Sequence, residues 1–235
     1  MKQALLRALA LLAVAVLALQ IAFLARIALM VVLDPQSTTF QRSEAWRLLT
    51  EKQRLPWAQD WVPLERISPH LQRAVIASED AGFAEHSGVE WDAIEGAWER
   101  NARSQLRNPA HAKIVGGSTI TQQLAKNLLL SGERTVLRKA QELVLTAMLE
   151  TLLSKRRILE IYLNSVEWGE GVFGADAAAR HYFRTDAARL GPEQAARLAV
   201  MLPAPKRFEK RPGSAYVVGR AATIVARMGG VELPK

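Results

Sequence analysis

Residues 116–130 read "GGSTITQQLAKNLLL". The pair Gly116-Gly117 permits a tight turn, and Ser118 or Thr119 can cap a helix that follows it. Ile120, Leu124 and Asn127-Leu128 recur at the spacing of a core-facing helical stripe. Gln122, Gln123 and Lys126 fall on a neighbouring face, with Thr119 one turn before Gln122 and Gln123 one turn before Lys126. Any one of these side chains alone is what a solvated helix carries. A capped turn, paired glutamines and a lysine together are harder to dismiss as solubility alone.

Upstream, residues 75–88 read "VIASEDAGFAEHSG". Ser68-Pro69 opens a helix as N-cap and first helical residue, and Leu71, Ala74, Val75 and Ser78 share one face. Two adjacent carboxylates, Glu79 and Asp80, therefore come at the end of a half-buried helix, followed by Phe83, His86 and Gly88. A second helix is predicted from Trp91 to Gln105, with Ile94, Ala97 and Trp98 as its stripe. Residues 106–117, "LRNPAHAKIVGG", contain Pro109 and the Gly pair and read as a mobile loop.

Downstream, residues 133–150 carry a stripe of Leu137, Ala140, Val144 and Ala147-Met148. Arg134, Arg138 and Glu142 recur every four residues beside it. A solvated Arg–Glu pair of this kind is worth only about 0.3–0.5 kcal/mol, but a carboxylate bordering an apolar face is a candidate for partial burial and function. In residues 155–183, Ile158, Leu159, Tyr162 and Leu163 form a core face. Asn164, Trp168-Gly169, Gly171 and Gly174 mark a structured turn, and Ala177-Ala178-Ala179 allows close helix packing. Most of this stretch reads as scaffold, with Lys155 and Tyr162 as exceptions. Helices are predicted at 118–130, 135–154, 155–165, 174–183, 192–202 and 213–228. No strand-like alternation of useful length appears, so the fold class is mainly α.

The chain has 235 residues, a formal net charge of +8 and no cysteine. Its length suits one domain with an appendage, and its charge suits anionic partners. From Ala8 to Ala25 the sequence is apolar except for Gln20 and spans about 27 Å as a helix, close to the thickness of a bilayer core. Lys2 and Arg7 precede it, which places the N-terminus in the cytoplasm and the remainder outside. An uncleaved anchor is favoured over a signal peptide, whose apolar core is shorter, about 7–15 residues. An extracytoplasmic basic domain excludes nucleic acid as a natural partner. The organisation expected is a cytoplasmic tip and transmembrane anchor at 1–34, a tether at 35–64 and a helical extramembrane domain at 65–235. Trp46, Trp57 and Trp61 in the tether suit packing onto the domain or the membrane interface equally well.

These stretches, in this order, resemble the peptidoglycan glycosyltransferases of glycosyltransferase family 51, in particular its monofunctional biosynthetic transglycosylases. The matching motifs are Glu79-Asp80-x-x-Phe83-x-x-His86-x-Gly88, Gly117-Ser118-Thr119-Ile120-Thr121-Gln122-Gln123-x-x-Lys126-Asn127, Arg138-Lys139-x-x-Glu142 and Ile158-Leu159-Glu160-x-Tyr162-Leu163-Asn164. A looser element is Glu193-Gln194-Ala195-Ala196 with Leu202-Pro203. Together they cover residues 65 to about 210, with Glu90 a mild departure where the family often has Asp. The resemblance implies a lysozyme-like helical fold with one N-terminal transmembrane helix, and a cleft bordered by the 106–117 loop. It implies polymerisation of lipid II by inverting transfer from an undecaprenyl-pyrophosphate-linked donor to the acceptor 4-hydroxyl, without transpeptidase activity.

By the same resemblance Glu79 is the general base and Glu142 the second essential glutamate. Lys126, Arg134, Arg138 and Lys155 would serve the donor pyrophosphate, while Ser118, Thr119, Gln122, Gln123 and Asn127 shape the cleft. Asp80, Phe83, His86, Tyr162 and Asn164 would be structural residues near the site. No cofactor is required and no protein-built metal site is expected; Mg or Mn accompanying the substrate pyrophosphate is the one ion allowed for. Partners would be lipid II, the lipid-linked glycan chain, membrane lipids and other cell-wall synthesis proteins, at the periplasmic face of the inner membrane. The alternatives are a lysozyme-like glycan-cleaving enzyme, which needs neither the basic set nor an anchor, and a non-catalytic lipid II-binding scaffold.

Overall fold

The computed structural model describes residues 1–107, 117–133 and 135–234. Arg134 and most of the 106–117 loop lie outside them. The described helices are α1 (Lys2–Leu29), α2 (Thr39–Lys52), α3 (Pro69–Glu79), α4 (Trp91–Arg107), α5 (Ile120–Leu129), α6 (Val136–Leu152), α7 (Lys155–Ser165), α8 (Ala175–Phe183), α9 (Pro192–Met201), α10 (Pro205–Phe208) and α11 (Ala215–Met228). The mainly helical reading holds. Leu106 and Arg107, expected in the loop, close α4 instead.

Local chemistry sets the helix starts. Ser68 caps α3 with Pro at the first position, Thr119 caps α5, Thr135 caps α6, Ser154 caps α7 and Ser214 caps α11. Each hydroxyl accepts from an N–H that the first helical turn leaves unpaired. The core has two halves. In one, α3 packs on α9 and α9 on α11, through Leu71, Val75, Leu198 and Ile224; in the other, α5 packs on α6 and α7 through Leu124, Leu145 and Leu159. Each such side chain, fully buried, contributes roughly 1.5–3 kcal/mol of transfer free energy.

α1 is long and apolar enough to cross a membrane, and it is exposed over most of its length. Only its C-terminal part meets the domain. Ile27 and Met30 are buried, and Gln20 exchanges two 2.9 Å hydrogen bonds with Gln141 of α6. Arg157 of α7 closes the exit of α1. Its guanidinium donates to the Met30 carbonyl at 2.8 Å, to the Leu33 carbonyl at 3.0 Å and to Asp34 at 2.8 Å. Carbonyls that a helix end leaves without partners are thus satisfied by a residue over 120 positions away.

The stretch read as a tether contains α2, which the sequence did not announce because only Phe40, Trp46 and Leu48-Leu49 interrupt its polar residues. A capping box between Thr38 and Gln41 starts it, Thr39 Oγ1 donates to the Leu128 carbonyl, and Gln41 Nε2 donates to the Ser165 carbonyl. These bonds hold α2 against α5 and the end of α7. The tryptophans divide: Trp46 is exposed, Trp57 lies against Phe173 at 4.5 Å between ring centroids, and Trp61 packs on the core beneath Arg157.

The structure also contains a small sheet in the order β1-β3-β2, made of β1 (Ala58–Gln59), β2 (Glu167–Gly169) and β3 (Val172–Phe173). β1 pairs parallel and β2 antiparallel to β3. Strands of two or three residues are too short for a period-two pattern to register in sequence. Gly171, at φ +74°, lies between β2 and β3, where a Cβ would collide with the Pro56 carbonyl.

Candidate active site

A cavity of about 800 Å³ opens between the end of α3, one face of α5, the start of α2 and the segment after α9. α3 buries Leu71, Ala74, Val75 and Ile76, so the helix delivers Ser78 and Glu79 to the cavity rim as it leaves the core. α5 contributes Gln123, Lys126 and Asn127, with Ser118 just before it, and α6 contributes Arg138.

Glu79 and Asp80 are adjacent but face different surroundings. Asp80 is buried; its Oδ1 lies 2.7 Å from His86 Nε2 and its Oδ2 accepts from the Ile120 N–H at 2.9 Å. His86 Nδ1 accepts from the Gly88 N–H at 3.0 Å, which leaves Nε2 to carry the proton and donate to Asp80. Asp80 therefore ties the end of α3 to the N-terminus of α5, where a negative charge also suits the helix dipole. Glu79 remains partly exposed to the cavity. Its Oε2 accepts from Gln123 Nε2 at 3.0 Å, and Ser78 Oγ donates to Oε1 at 3.4 Å. Burial pushes its carboxyl above the usual range; the Gln123 and Ser78 bonds oppose this, and the Asp80 charge adds to it.

The expected substrate-binding residues divide. Ser118, Gln123, Lys126, Asn127 and Arg138 line the cavity. Thr119 and Gln122 do not: they form a capping box, with Thr119 Oγ1 accepting from the Gln122 N–H and Gln122 Oε1 accepting from the Thr119 N–H. Thr119 Oγ1 also donates to the Gly88 carbonyl at 2.6 Å. The Thr-x-x-Gln spacing that specifies such a box was present in the sequence. Lys155 also lies away from the cavity lining, ion-paired to Glu150 at 2.8 Å and 4.6 Å above the Phe83 ring. Glu150 accepts from Thr121, which points about 200° around α5 from Gln123. Arg134 lies outside the described residues.

Glu142 is buried on α6, 2.9 Å from Arg138 Nη1 and 2.5 Å from Lys139 Nζ. It holds Arg138 toward the cavity and is not itself part of the lining. Asn164 is fully buried and pairs with the backbone of Val62 in both directions at 2.9 Å, a strand-like clasp between the segment before α3 and α7. Tyr162, also fully buried, donates its hydroxyl to Gln123 Oε1 at 3.0 Å.

Three further carboxylates line the cavity that sequence reasoning passed over, Glu133 before α6, Glu44 of α2 and Glu167 of β2. Lys206 of α10 forms an ion pair with Glu44 and lies 3.5 Å from Glu167 Oε1. Burial raises the Glu167 pKa to about 7, with the Glu44 and Glu209 charges adding and Lys206 opposing. No local pattern marked Glu44 or Glu167, since Glu44 sits in a polar helix and Glu167 in a three-residue strand.

Asp80, His86 and Glu90 bring possible metal-ligand atoms within 4.8 Å of one another. Both carboxylate oxygens of Asp80 and both ring nitrogens of His86 are already engaged in the protein bonds above, so as a ligand set they are committed elsewhere. Chemically, the cavity offers two carboxylates of raised proton affinity, Glu79 and Glu167, in one lining with two cations, Lys126 and Arg138.

Residues 47–229 match the family model described as Transglycosylase. A protein of Burkholderia thailandensis named biosynthetic peptidoglycan transglycosylase is 56% identical over 93% of this chain and 83% of its own length. One of the same name from Paraburkholderia xenovorans is 54% identical over 96% of this chain and 91% of its own length. The matched region begins inside α2, upstream of the boundary at 65 expected from the motifs. The helical architecture fits the lysozyme-like fold anticipated above. With its cleft, its motifs and a match over most of its length, this chain belongs to the transglycosylase family.

Proposed function

We propose that this protein polymerises peptidoglycan glycan strands from lipid II, with Glu79 as general base. The observation that carries this reading is that one cavity is lined both by a proton-seeking carboxylate, Glu79, and by the cations Lys126 and Arg138. Glu79 takes the proton of the acceptor 4-hydroxyl as that oxygen attacks the anomeric carbon of the donor. The bond from that carbon to the pyrophosphate oxygen breaks, its electron pair leaves with the pyrophosphate, and the configuration inverts. Lys126 and Arg138 stabilise the leaving charge, and Glu142 keeps Arg138 in place. A good anionic leaving group needs cations rather than a carboxylic acid, and the presence of Lys126 and Arg138 in the lining favours transfer over glycan hydrolysis.

α1 anchors the domain to the cytoplasmic membrane, with Lys2 and Arg7 inside and the catalytic domain outside. The Gln20–Gln141 pair lies nine residues before the end of α1, about 14 Å along the helix. At that depth α6 meets the bilayer, and its exposed Val136 and Leu137 suit the acyl region, close to the lipid-linked substrates. Mg or Mn would arrive with the substrate pyrophosphate, since Asp80 and His86 are engaged with the protein.

Full-length protein in detergent or vesicles, given lipid II, is expected to yield glycan polymer. Glu79→Gln should lower the rate by at least about 100-fold, the usual contribution of a general base. Normal polymerisation by that variant would refute the assignment of the base, and shortening of preformed glycan would favour hydrolysis.

A further inference from the structure

Among the described residues no backbone N–H donates to the Glu79 carboxylate; its principal partner is the side-chain amide of Gln123, whose two ends are chemically opposite. An ionised carboxylate can only accept, so the NH2 end of the amide must face it. Nothing in Gln123 itself enforces that orientation. A half-turn about the last side-chain bond would put the amide oxygen against the carboxylate, replacing attraction with repulsion.

The other end of the amide is held. Gln123 Oε1 lies 3.0 Å from the hydroxyl of Tyr162, which comes from the middle of α7 and is fully buried. Burial, followed by the charges of Glu79 and Asp80, keeps this phenol protonated well beyond the ordinary range, so it acts as a donor. A phenolic O–H aimed at Oε1 makes only one amide orientation satisfactory at both ends. The resulting chain runs Tyr162 O–H to Gln123 Oε1, and Gln123 N–H to Glu79 Oε2.

On the reading that Glu79 is the general base, we infer that Tyr162 is a positioning residue, locking the Gln123 amide so that it donates to the base. Gln123 is thereby reassigned from a cleft-shaping residue to the link between Tyr162 and Glu79. Asp80 stands beside Glu79, and the other charged groups lining its cavity are Lys126 from α5, Arg138 from α6, Glu44 from α2, Glu167 from β2 and Glu133 before α6. The variants below leave all of them in place, so a change in the proton affinity of Glu79 reports on the amide.

The test uses the full chain in detergent with lipid II, comparing wild type, Tyr162→Phe, Gln123→Met and the double variant. Without the lock the carboxylate loses its donor and holds its proton more tightly. The acid limb of the kcat profile should therefore move to higher pH by about one unit, equivalent to about a tenfold loss of rate below the limb. The position of the kcat limb, rather than KM, is the readout, because Gln123 and Tyr162 both line the cavity. Gln123→Met should reproduce the shift, and the double variant should add nothing to it.

An unmoved limb, a kcat loss equal at every pH, or additive shifts would overturn the inference. A second readout is independent of turnover: the pH dependence of the melting-temperature difference between each protein and its Glu79→Gln counterpart reports where Glu79 titrates in the folded state. That window should extend to higher pH in Tyr162→Phe, and an unchanged window would overturn the inference. If Tyr162→Phe does not fold, Gln123→Met carries both measurements. A wild-type protein that makes no polymer at any pH would instead refute the proposed function, and the melting experiment would still decide the lock.

Discussion

Replacing Asp80 by alanine separates the roles of the two adjacent acids. Its side chain is fully buried and holds two donors, the Ile120 N–H at 2.9 Å and His86 Nε2 at 2.7 Å. Each donor left buried without a partner costs about 1–3 kcal/mol. Loss of a negative charge at the start of α5 adds about 0.3–1 kcal/mol. The sum is about 3–5 kcal/mol after allowing for partial relaxation, in the range found when one member of a buried pair is removed. For a domain of this size each kcal/mol lowers the melting temperature by about 2–4 °C, so the expected drop is about 6–20 °C. Asp80→Asn keeps one acceptor oxygen and should fall about midway. The assay is thermal unfolding of the full chain in detergent, followed by fluorescence of the buried Trp168, with glycan synthesis measured below the transition. Both variants should retain far more activity there than Glu79→Gln. A melting temperature within about 1 °C of wild type, together with abolished synthesis, would refute the structural role and place Asp80 in the chemistry.

Gly88→Ala should destabilise the protein by roughly 2–4 kcal/mol, read from urea unfolding. The residue sits at φ +87°, and a Cβ would come within 2.7 Å of Thr146 Cγ2 and 2.8 Å of Glu150 Cγ, so left-handed strain and overpacking add. Glu167→Gln should change how stability depends on pH. A carboxyl raised to about 7 contributes stability that is fully present below its unfolded value near 4.5 and is lost as pH rises through 7. The variant should remove a decline on the order of 2–3 kcal/mol between pH 5 and 8, and an unchanged urea-midpoint profile would contradict the cited burial. Gln20→Leu should loosen α1 from α6 by about 0.6–2 kcal/mol in a bilayer, because Gln141 loses both hydrogen bonds. Adding Gln141→Leu should restore most of that loss in thermal unfolding of the vesicle-bound protein.

The helices that carry the site were legible one by one. Apolar positions at helical spacing located α3, α5, α6 and α7, and Ser68 and Ser118 or Thr119 marked the starts of α3 and α5. α2 was not legible, because it is held by caps and by bonds to the Leu128 and Ser165 carbonyls rather than by an apolar stripe. The sheet escaped notice because its strands are shorter than the pattern that identifies a strand. Of the cavity lining, Glu79, Lys126 and Arg138 had been singled out through the family motifs. The direction in which Thr119, Gln122 and Lys155 point was not legible, since side chains a few residues apart on one helix can serve a cap, a core ion pair or a cavity.

The apolar span, the succession of helices and the inventory of acids, amides and cations are properties of short windows of sequence. Turn chemistry and a 3.6-residue period act within a dozen residues and leave their mark there. The surroundings of the two acids are a different kind of fact. Glu79 and Asp80 are neighbours of the same charge, set apart by a Gln123 amide 44 residues away and an Ile120 N–H 40 residues away. Those pairings depend on how α3, α5 and α7 pack, and proton affinity depends on the burial that packing creates. Only the assembled fold could decide them, because neither a contact between distant helices nor the loss of solvent around a carboxylate is written in any local spacing.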